Sequence, residues 1–204
     1  MTVLLFLKAP RPGFVKTRLA KSLGDDRACQ IYRELVKQTL SQIPSDFLIK
    51  IHFAPADARE EMENWLGSDL VYSPQPEGDL GARLHRACEE AFAEPSTRGV
   101  ILLGGDCPAL TAAHLEECSG YLEESHSVIG PSEDGGYWLL GLPGPREELF
   151  NDVAWSTSEV LPTTLARLAA RGEEPVLLEM LTDVDDKESW EKAQREFPYL
   201  EKGL

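Results

Sequence analysis

Gly99-Val-Ile-Leu-Leu103 runs without a break into Gly104-Gly-Asp-Cys-Pro-Ala-Leu110, and this stretch decides how the rest of the chain is read. A short, continuous apolar run bounded by turn residues is the pattern of a strand covered on both faces, as in a parallel sheet between helices. Two glycines and a carboxylate, Asp106, follow at the strand's carboxyl end, and Pro108 stiffens the exit. Ligands of open α/β sheets gather beyond the carboxyl ends of the strands. A carboxylate there, beside backbone that a ligand can approach, suits a hard cation such as Mg²⁺ or Mn²⁺. A turn aspartate bonding its own backbone accounts for the same letters.

The rest of the chain repeats the alternation. Val3–Leu7 reads as a first buried strand. A helix follows from Asp25, with Ile31, Leu35, Leu40 and Ile43 on one face and Pro44 ending it. Phe47–Phe53 is a second strand, Asp57–Leu66 a short helix and Leu70–Tyr72 a brief strand. A helix covers Leu80–Phe92, and another, capped by Thr111, runs to Glu123. Ser127–Gly130 and Tyr137–Leu142 are strands joined by a tight turn. A helix at Pro162–Ala170, a strand at Pro175–Leu178 and a helix at Lys187–Arg195 complete the chain. Strand–helix alternation of this kind predicts a mostly parallel sheet with helices on both faces. With no repeat, low-complexity tract or long linker, the 204 residues read as one domain.

The balance of 20 basic and 35 acidic residues, a net charge of −15, repels polyanions and argues against nucleic acid as a partner. The first apolar run is too short to span a membrane and no basic region precedes it. Four cysteines lie far apart with no C-x-x-C pair, as in a reduced protein. A cytoplasmic protein with no membrane partner is the expectation. Whether it pairs as a homodimer is open, because helix faces packed in a dimer look like helix faces packed in a core.

Against this acidic background, Lys8, Arg11, Lys16, Arg18 and Lys21 cluster in the segment after the first strand. Lysine offers a point charge to phosphate and arginine a planar fork, while Gly13 and two prolines shape a loop. A solvated surface loop is the plain alternative. The segment is neither a Walker A loop nor a G-x-G-x-x-G turn. In Gln75-Pro-Glu-Gly-Asp-Leu-Gly-Ala-Arg-Leu84, Gly81 and Arg83 open a helix whose free N–H groups favour an anion. Asp79 serves equally as its cap. Asp134, in Glu133-Asp-Gly-Gly136, is placed to act as a base or to bind hydroxyls, or is a plain Asp-Gly turn. Ser156 stands three residues before Glu159, the capping-box spacing, and reads as a helix cap; Trp155 beside it can line a pocket. Asp183 and Asp185 fall on one side of an extended segment, within reach of the same metal as Asp106; one is expected to coordinate and the other to cap the last helix. The four histidines are isolated and read as structural or surface residues.

Taken in order, K-x-P-x-x-G-x-x-K-T-R-L, G-D-L-G-x-R, G-G-D-C-P-x-L, E-D-G-G-Y and T-D-V-D resemble the DUF2064 family of transferases, within the nucleotide-diphospho-sugar transferase (GT-A) superfamily. The resemblance spans Lys8 to Asp185. It implies a three-layer α/β/α Rossmann-like sandwich with a mixed, mostly parallel central sheet. It also implies a metal, Mg²⁺ or Mn²⁺, on Asp106 with a further ligand from Asp183 or Asp185. Lys8, Gly13, Lys16, Arg18, Gly81, Arg83 and Gly105 are then the residues for the nucleotide phosphates, and Asp134 with Lys16 the catalytic pair. Sugar-nucleotide glycosyltransferases carry D-x-D where this chain has Gly105-Asp106-Cys107, and the opening segment is closer to guanylyltransferases of small phosphorylated acids. Three functions fit these residues. The first is a metal-dependent transferase using a nucleotide-diphosphate sugar and a small-molecule acceptor. The second is a nucleotidyltransferase acting on a small phosphorylated acid, and the third a silent nucleotide-binding domain.

Overall fold

The computed structural model describes residues 1–201. Chain order is β1 (Thr2–Lys8), α1 (Thr17–Leu23), α2 (Asp25–Gln42), β2 (Leu48–Ala54), α3 (Arg59–Leu66), β3 (Val71–Pro74), α4 (Leu80–Phe92), β4 (Val100–Leu103), α5 (Ala112–Glu123), β5 (Val128–Pro131), β6 (Tyr137–Leu142), α6 (Val160–Ala170), β7 (Val176–Leu177) and α7 (Lys187–Glu196). The strands form one sheet in the order β3-β2-β1-β4-β6-β5-β7. The pairs β1–β2, β1–β4, β2–β3 and β5–β7 are parallel, while β6 runs antiparallel to both β4 and β5. This is the mixed, mostly parallel α/β/α sandwich expected.

Alternation along β1 divides the core. Val3, Leu5 and Leu7 face Tyr32 and Val36 of α2 and Leu115 of α5. Leu4 faces Leu84, Ala87 and Cys88 of α4 and Leu168 of α6. Because β1 and β4 are covered on both faces, their sequences are apolar throughout. Helix α2 is buried on two sides. Cys29, Tyr32 and Val36 pack on the sheet, whereas Ala28, Ile31 and Leu35 pack against Leu19 of α1 and Trp190 and Ala193 of α7. The single apolar face expected from Ile31, Leu35, Leu40 and Ile43 is thus two stripes, since Leu40 and Ile43 belong with the sheet.

Three further local expectations change. The basic segment is a loop only as far as Lys16; Thr17–Leu23 is α1, closed by Gly24 at φ 84°. Ser156 does not cap a helix: α6 begins four residues later, at Val160, and Ser156 stands at φ 63°. Asp79 does cap α4, accepting from the Ala82 N–H at 2.8 Å, and Thr111 caps α5 in a reciprocal box with His114.

Neither Asp183 nor Asp185 caps α7. That role belongs to Asp186, whose carboxylate accepts from the Ser189 N–H. Among the described residues no helix is long and apolar enough to cross a membrane.

Strand order reverses beside β1: the chain steps from β1 to β2 and β3 on one side, then to β4 on the other. The carboxyl ends of β1 and β4 therefore open a crevice between loops that diverge, the place where such sheets bind ligands. Because β6 is antiparallel, its first residues and the β5–β6 turn carrying Asp134 lie at this same edge. The segment after β7 is tied in by backbone bonds, Leu181 N–H to the Pro131 carbonyl at 3.1 Å and Val184 N–H to the Asp106 carbonyl at 2.9 Å. That second bond sets the Asp183–Asp185 segment against Asp106.

Candidate active site

At this edge lies a polar pocket of about 390 Å³, lined by Lys8, Lys16, Arg18, Tyr32, Asp106 and Asp185 among others. Its centre is Lys16. The ammonium donates to Asp106 Oδ2 at 2.7 Å and to Asp185 Oδ1 at 3.0 Å, and the side chain is only 7% exposed. Lys16 also holds a left-handed backbone, φ 47° and ψ 46°, which costs a side-chain-bearing residue roughly 1–2 kcal/mol. A buried charge on a strained backbone is tolerated where its surroundings hold it in place. Burial works against the charge, yet Asp106 and Asp185 outweigh it, and the lysine pKa is raised. Arg18, largely exposed, reaches Asp185 Oδ2 at 3.8 Å. Tyr32 fixes the end of β1 by accepting from the Lys8 N–H and donating to its carbonyl.

A second pocket of about 250 Å³ adjoins the first, sharing Phe6, Gly104, Asp134 and Ser156 with it. Its walls are Leu80, Leu84, Tyr137, Trp138, Trp155 and Val160, and its acids are Asp134 and Asp183. The Asp134 Oδ1 accepts from Ser132 Oγ and from the Gly136 N–H, so the other oxygen is the one available to a ligand. The turn geometry and the pocket position are both real. Asp183 Oδ1 is shut from solvent without a hydrogen-bond partner. Burial first, then the charge of Asp106, holds its carboxyl pKa well above the usual range, with Lys16 pulling the other way.

Of the two acids expected to join Asp106 at a metal, Asp185 lies beside it across the Lys16 ammonium. Among the described residues no group of three or more His, Cys, Asp or Glu side chains is arranged to hold a cation. Asp183 turns into the second pocket, and the two remaining carboxylates share the ammonium. Asp106 and Asp185 nonetheless fit Mg²⁺ or Mn²⁺: they are hard oxygen donors brought side by side, and such ions take one or two carboxylates and fill the rest with phosphate and water.

Four of the expected phosphate residues carry structural roles in the fold. Gly13, at φ 81°, is a turn glycine outside both pockets. A methyl at Gly81 would lie 2.2 Å from the Phe150 carbonyl and 2.7 Å from Trp155 Nε1, so that glycine lets α4 pack. Arg83 donates to the Gly78 carbonyl at 3.0 Å and to Gln75. Gln75 in turn donates to the Leu7 and His52 carbonyls, clamping the ends of β1 and β2. Gly105 does line the polar pocket, but a methyl there would meet Leu7 and Val36 at 2.8 and 2.9 Å, so its hydrogen is required by the core. Phe6 and Tyr32 are pocket residues that the sequence did not single out. Only Tyr32 carried a signal, a hydroxyl on an otherwise apolar helical stripe.

A sequence model of uncharacterized proteins conserved in bacteria, DUF2064, matches residues 39–157. The chain belongs to the DUF2064 family. A crystal structure from Desulfovibrio desulfuricans G20, of a protein provisionally named a nucleotide-diphospho-sugar transferase, is 30% identical to this DUF2064 chain. The match covers 91% of this chain and 82% of that one, with a TM-score of 0.85. The fold is shared more distantly with 4-diphosphocytidyl-2C-methyl-D-erythritol synthase from Anaerococcus prevotii DSM 20548, at 10% identity, 97% and 98% coverage and a TM-score of 0.60. It is shared likewise with a nucleotidyl transferase from Methanothermobacter thermautotrophicus, at 16% identity, 97% and 98% coverage and a TM-score of 0.59. No curated protein matches the chain.

Proposed function

We propose that this DUF2064 chain acts as one transferase domain on a nucleotide-diphosphate sugar and a small-molecule acceptor. The observation that carries this reading is Lys16, buried on a strained backbone between Asp106 and Asp185 at the strand-order reversal. Such an arrangement stores positive charge where a diphosphate would lie, with carboxylates beside it for a divalent cation. When bound on Asp106 and Asp185, Mg²⁺ or Mn²⁺ supplies neutralisation of the leaving diphosphate. Lys8, Lys16 and Arg18 add positive charge toward the same oxygens. The acceptor oxygen bonds to the anomeric carbon, and the bond from that carbon to the diphosphate oxygen breaks. Its electron pair leaves on the nucleoside diphosphate, and the acceptor's hydroxyl proton passes to Asp134. The relative from Desulfovibrio desulfuricans supports the donor class.

Nucleotidyl transfer, favoured by the fold shared with nucleotidyltransferases, would use the same cationic pocket but release pyrophosphate. The deciding measurement is incubation with isotope-labelled nucleoside triphosphates and nucleotide sugars, with acceptor panels and Mn²⁺, followed by identification of the released product. Nucleoside diphosphate is expected. Pyrophosphate would transfer the conclusion to the second reading, and binding that survives Asp106→Asn and Asp185→Asn without turnover would reduce the chain to a nucleotide-binding domain.

A further inference from the structure

Resting on the proposed donor chemistry, we infer that the second pocket takes a neutral, polyhydroxylated ring and excludes phosphorylated or carboxylated molecules. Three observations lead there. Its lining contains no Lys, Arg or His, and its acidic side chains are Asp134 and Asp183. An anionic substrate would meet like charge without a partner, and a buried unpaired charge is strongly disfavoured. The polar pocket next door, by contrast, holds Lys8, Lys16 and Arg18, so the cations are confined to one side of Gly104.

Second, the walls are Phe6, Tyr137, Trp138 and Trp155, with Leu84 and Val160. Aromatic faces with few, well-placed polar groups suit a ring that has an apolar C–H face and a hydroxyl edge. Third, the Asp183 Oδ1 lies buried without a hydrogen-bond partner. A native protein rarely leaves such an atom unsatisfied; the Trp155 Nε1–H in the same lining is likewise buried without a partner, and a ligand hydroxyl, which both donates and accepts, suits both atoms. The free Asp134 oxygen offers a second acceptor at the wall common to both pockets. Two acceptors and no cationic donor match a molecule that donates through hydroxyls. The ring can arrive as the glycosyl half of the donor or as the acceptor, and the chemistry recognised is the same.

The test uses the full chain with Mn²⁺, read by calorimetry and by tryptophan fluorescence, since Trp138 and Trp155 line this pocket. Nucleoside diphosphates of all four bases are titrated first, then the matching nucleotide sugars. Free pyranosides and cyclitols follow, then phosphorylated small acids, each with the diphosphate present. A neutral ring, attached or free, is expected to add about tenfold or more in affinity and to quench fluorescence. Asp183→Asn and Trp155→Phe are expected to weaken the ring about tenfold, the loss of one hydrogen bond or of part of a stacking face. Both should leave nucleoside diphosphate affinity within about twofold. Tighter binding of the phosphorylated acids, no gain from any ring, or loss of the nucleoside diphosphate itself in Trp155→Phe would overturn the inference; the last would mean that the base occupies this pocket. Failure of every nucleoside diphosphate to bind refutes the proposed function instead, and ring binding that persists in that case upholds the pocket's chemistry alone.

Discussion

Replacing Lys16 by methionine keeps the length of the side chain and the left-handed backbone, and removes only the ammonium between Asp106 and Asp185. Taking one partner from a fully buried ion pair costs about 3–5 kcal/mol. Here the lysine is enclosed, but the carboxylates are 33% and 48% exposed, and water will solvate part of what is uncovered. We expect a loss of roughly 2 kcal/mol at pH 8, between the buried and surface limits. For a chain of this length that corresponds to a Tm lower by about 4–8 °C.

The loss should be reversible by metal. With the ammonium gone, Asp106 and Asp185 are free to bind Mn²⁺, and saturation at about a hundred times Kd returns about 2.7 kcal/mol. In the unaltered protein without nucleotide, Mn²⁺ must displace Lys16 and should raise Tm by far less. The measurements are urea unfolding and thermal scans, each with and without Mn²⁺. If Lys16→Met were as stable as the parent at pH 8, or gained no more from Mn²⁺ than the parent does, Lys16 would not be the counter-charge of these two carboxylates.

Three further outcomes are expected. Asp183→Asn should stabilise the protein at neutral pH by on the order of 1–2 kcal/mol, through removal of a buried carboxylate that burial and Asp106 hold reluctant to ionise. Because its folded pKa lies above the ordinary 3.8, the folded state keeps the proton longer. Parent and variant should therefore match near pH 4 and diverge as pH rises, which denaturant titrations at several pH values would check. His52, stacked on Phe6 at 5.0 Å, is kept neutral by burial with its pKa lowered from 6.5 to about 4. It contributes stability above pH 6.5 that disappears as pH falls toward 4, by as much as roughly 3 kcal/mol at 1.36 kcal/mol per pH unit. His52→Phe should flatten that acid limb, and an unchanged limb would place the acid sensitivity elsewhere. Gly81→Ala should cost about 1–3 kcal/mol in urea unfolding from overpacking against Phe150 and Trp155. Its nucleotide affinity should be unaltered, and a stable variant with weakened nucleotide binding would restore Gly81 to the phosphate site.

Much of the architecture was legible in the sequence because burial on both faces leaves a local trace. The runs Val3–Leu7 and Gly99–Leu103 announce covered strands, and Asp79 and Thr111 mark helix starts through hydrogen bonds only three residues long. The basic segment after β1 and the carboxylate after β4 were legible for the same reason, as breaks in local composition. The tight turn before Tyr137 marked β6 as the partner of β5, but its insertion against β4 had no such trace, since a covered strand reads alike in either direction. Nor could letters tell that Gly81 and Gly105 are glycines for the sake of Phe150 and Val36, partners 69 residues ahead and behind in sequence. The Lys16 bridge is the plainest case. Its partners lie 90 and 169 residues away, and the backbone bond from Val184 to Asp106 is what delivers the second of them. Local pattern determined which segments are strands, helices and polar loops. Only the tertiary structure decided that Lys16 bonds Asp106 and Asp185 while Asp183 turns away into an apolar pocket, because side-chain roles follow from sheet order and distant contacts that no local pattern encodes.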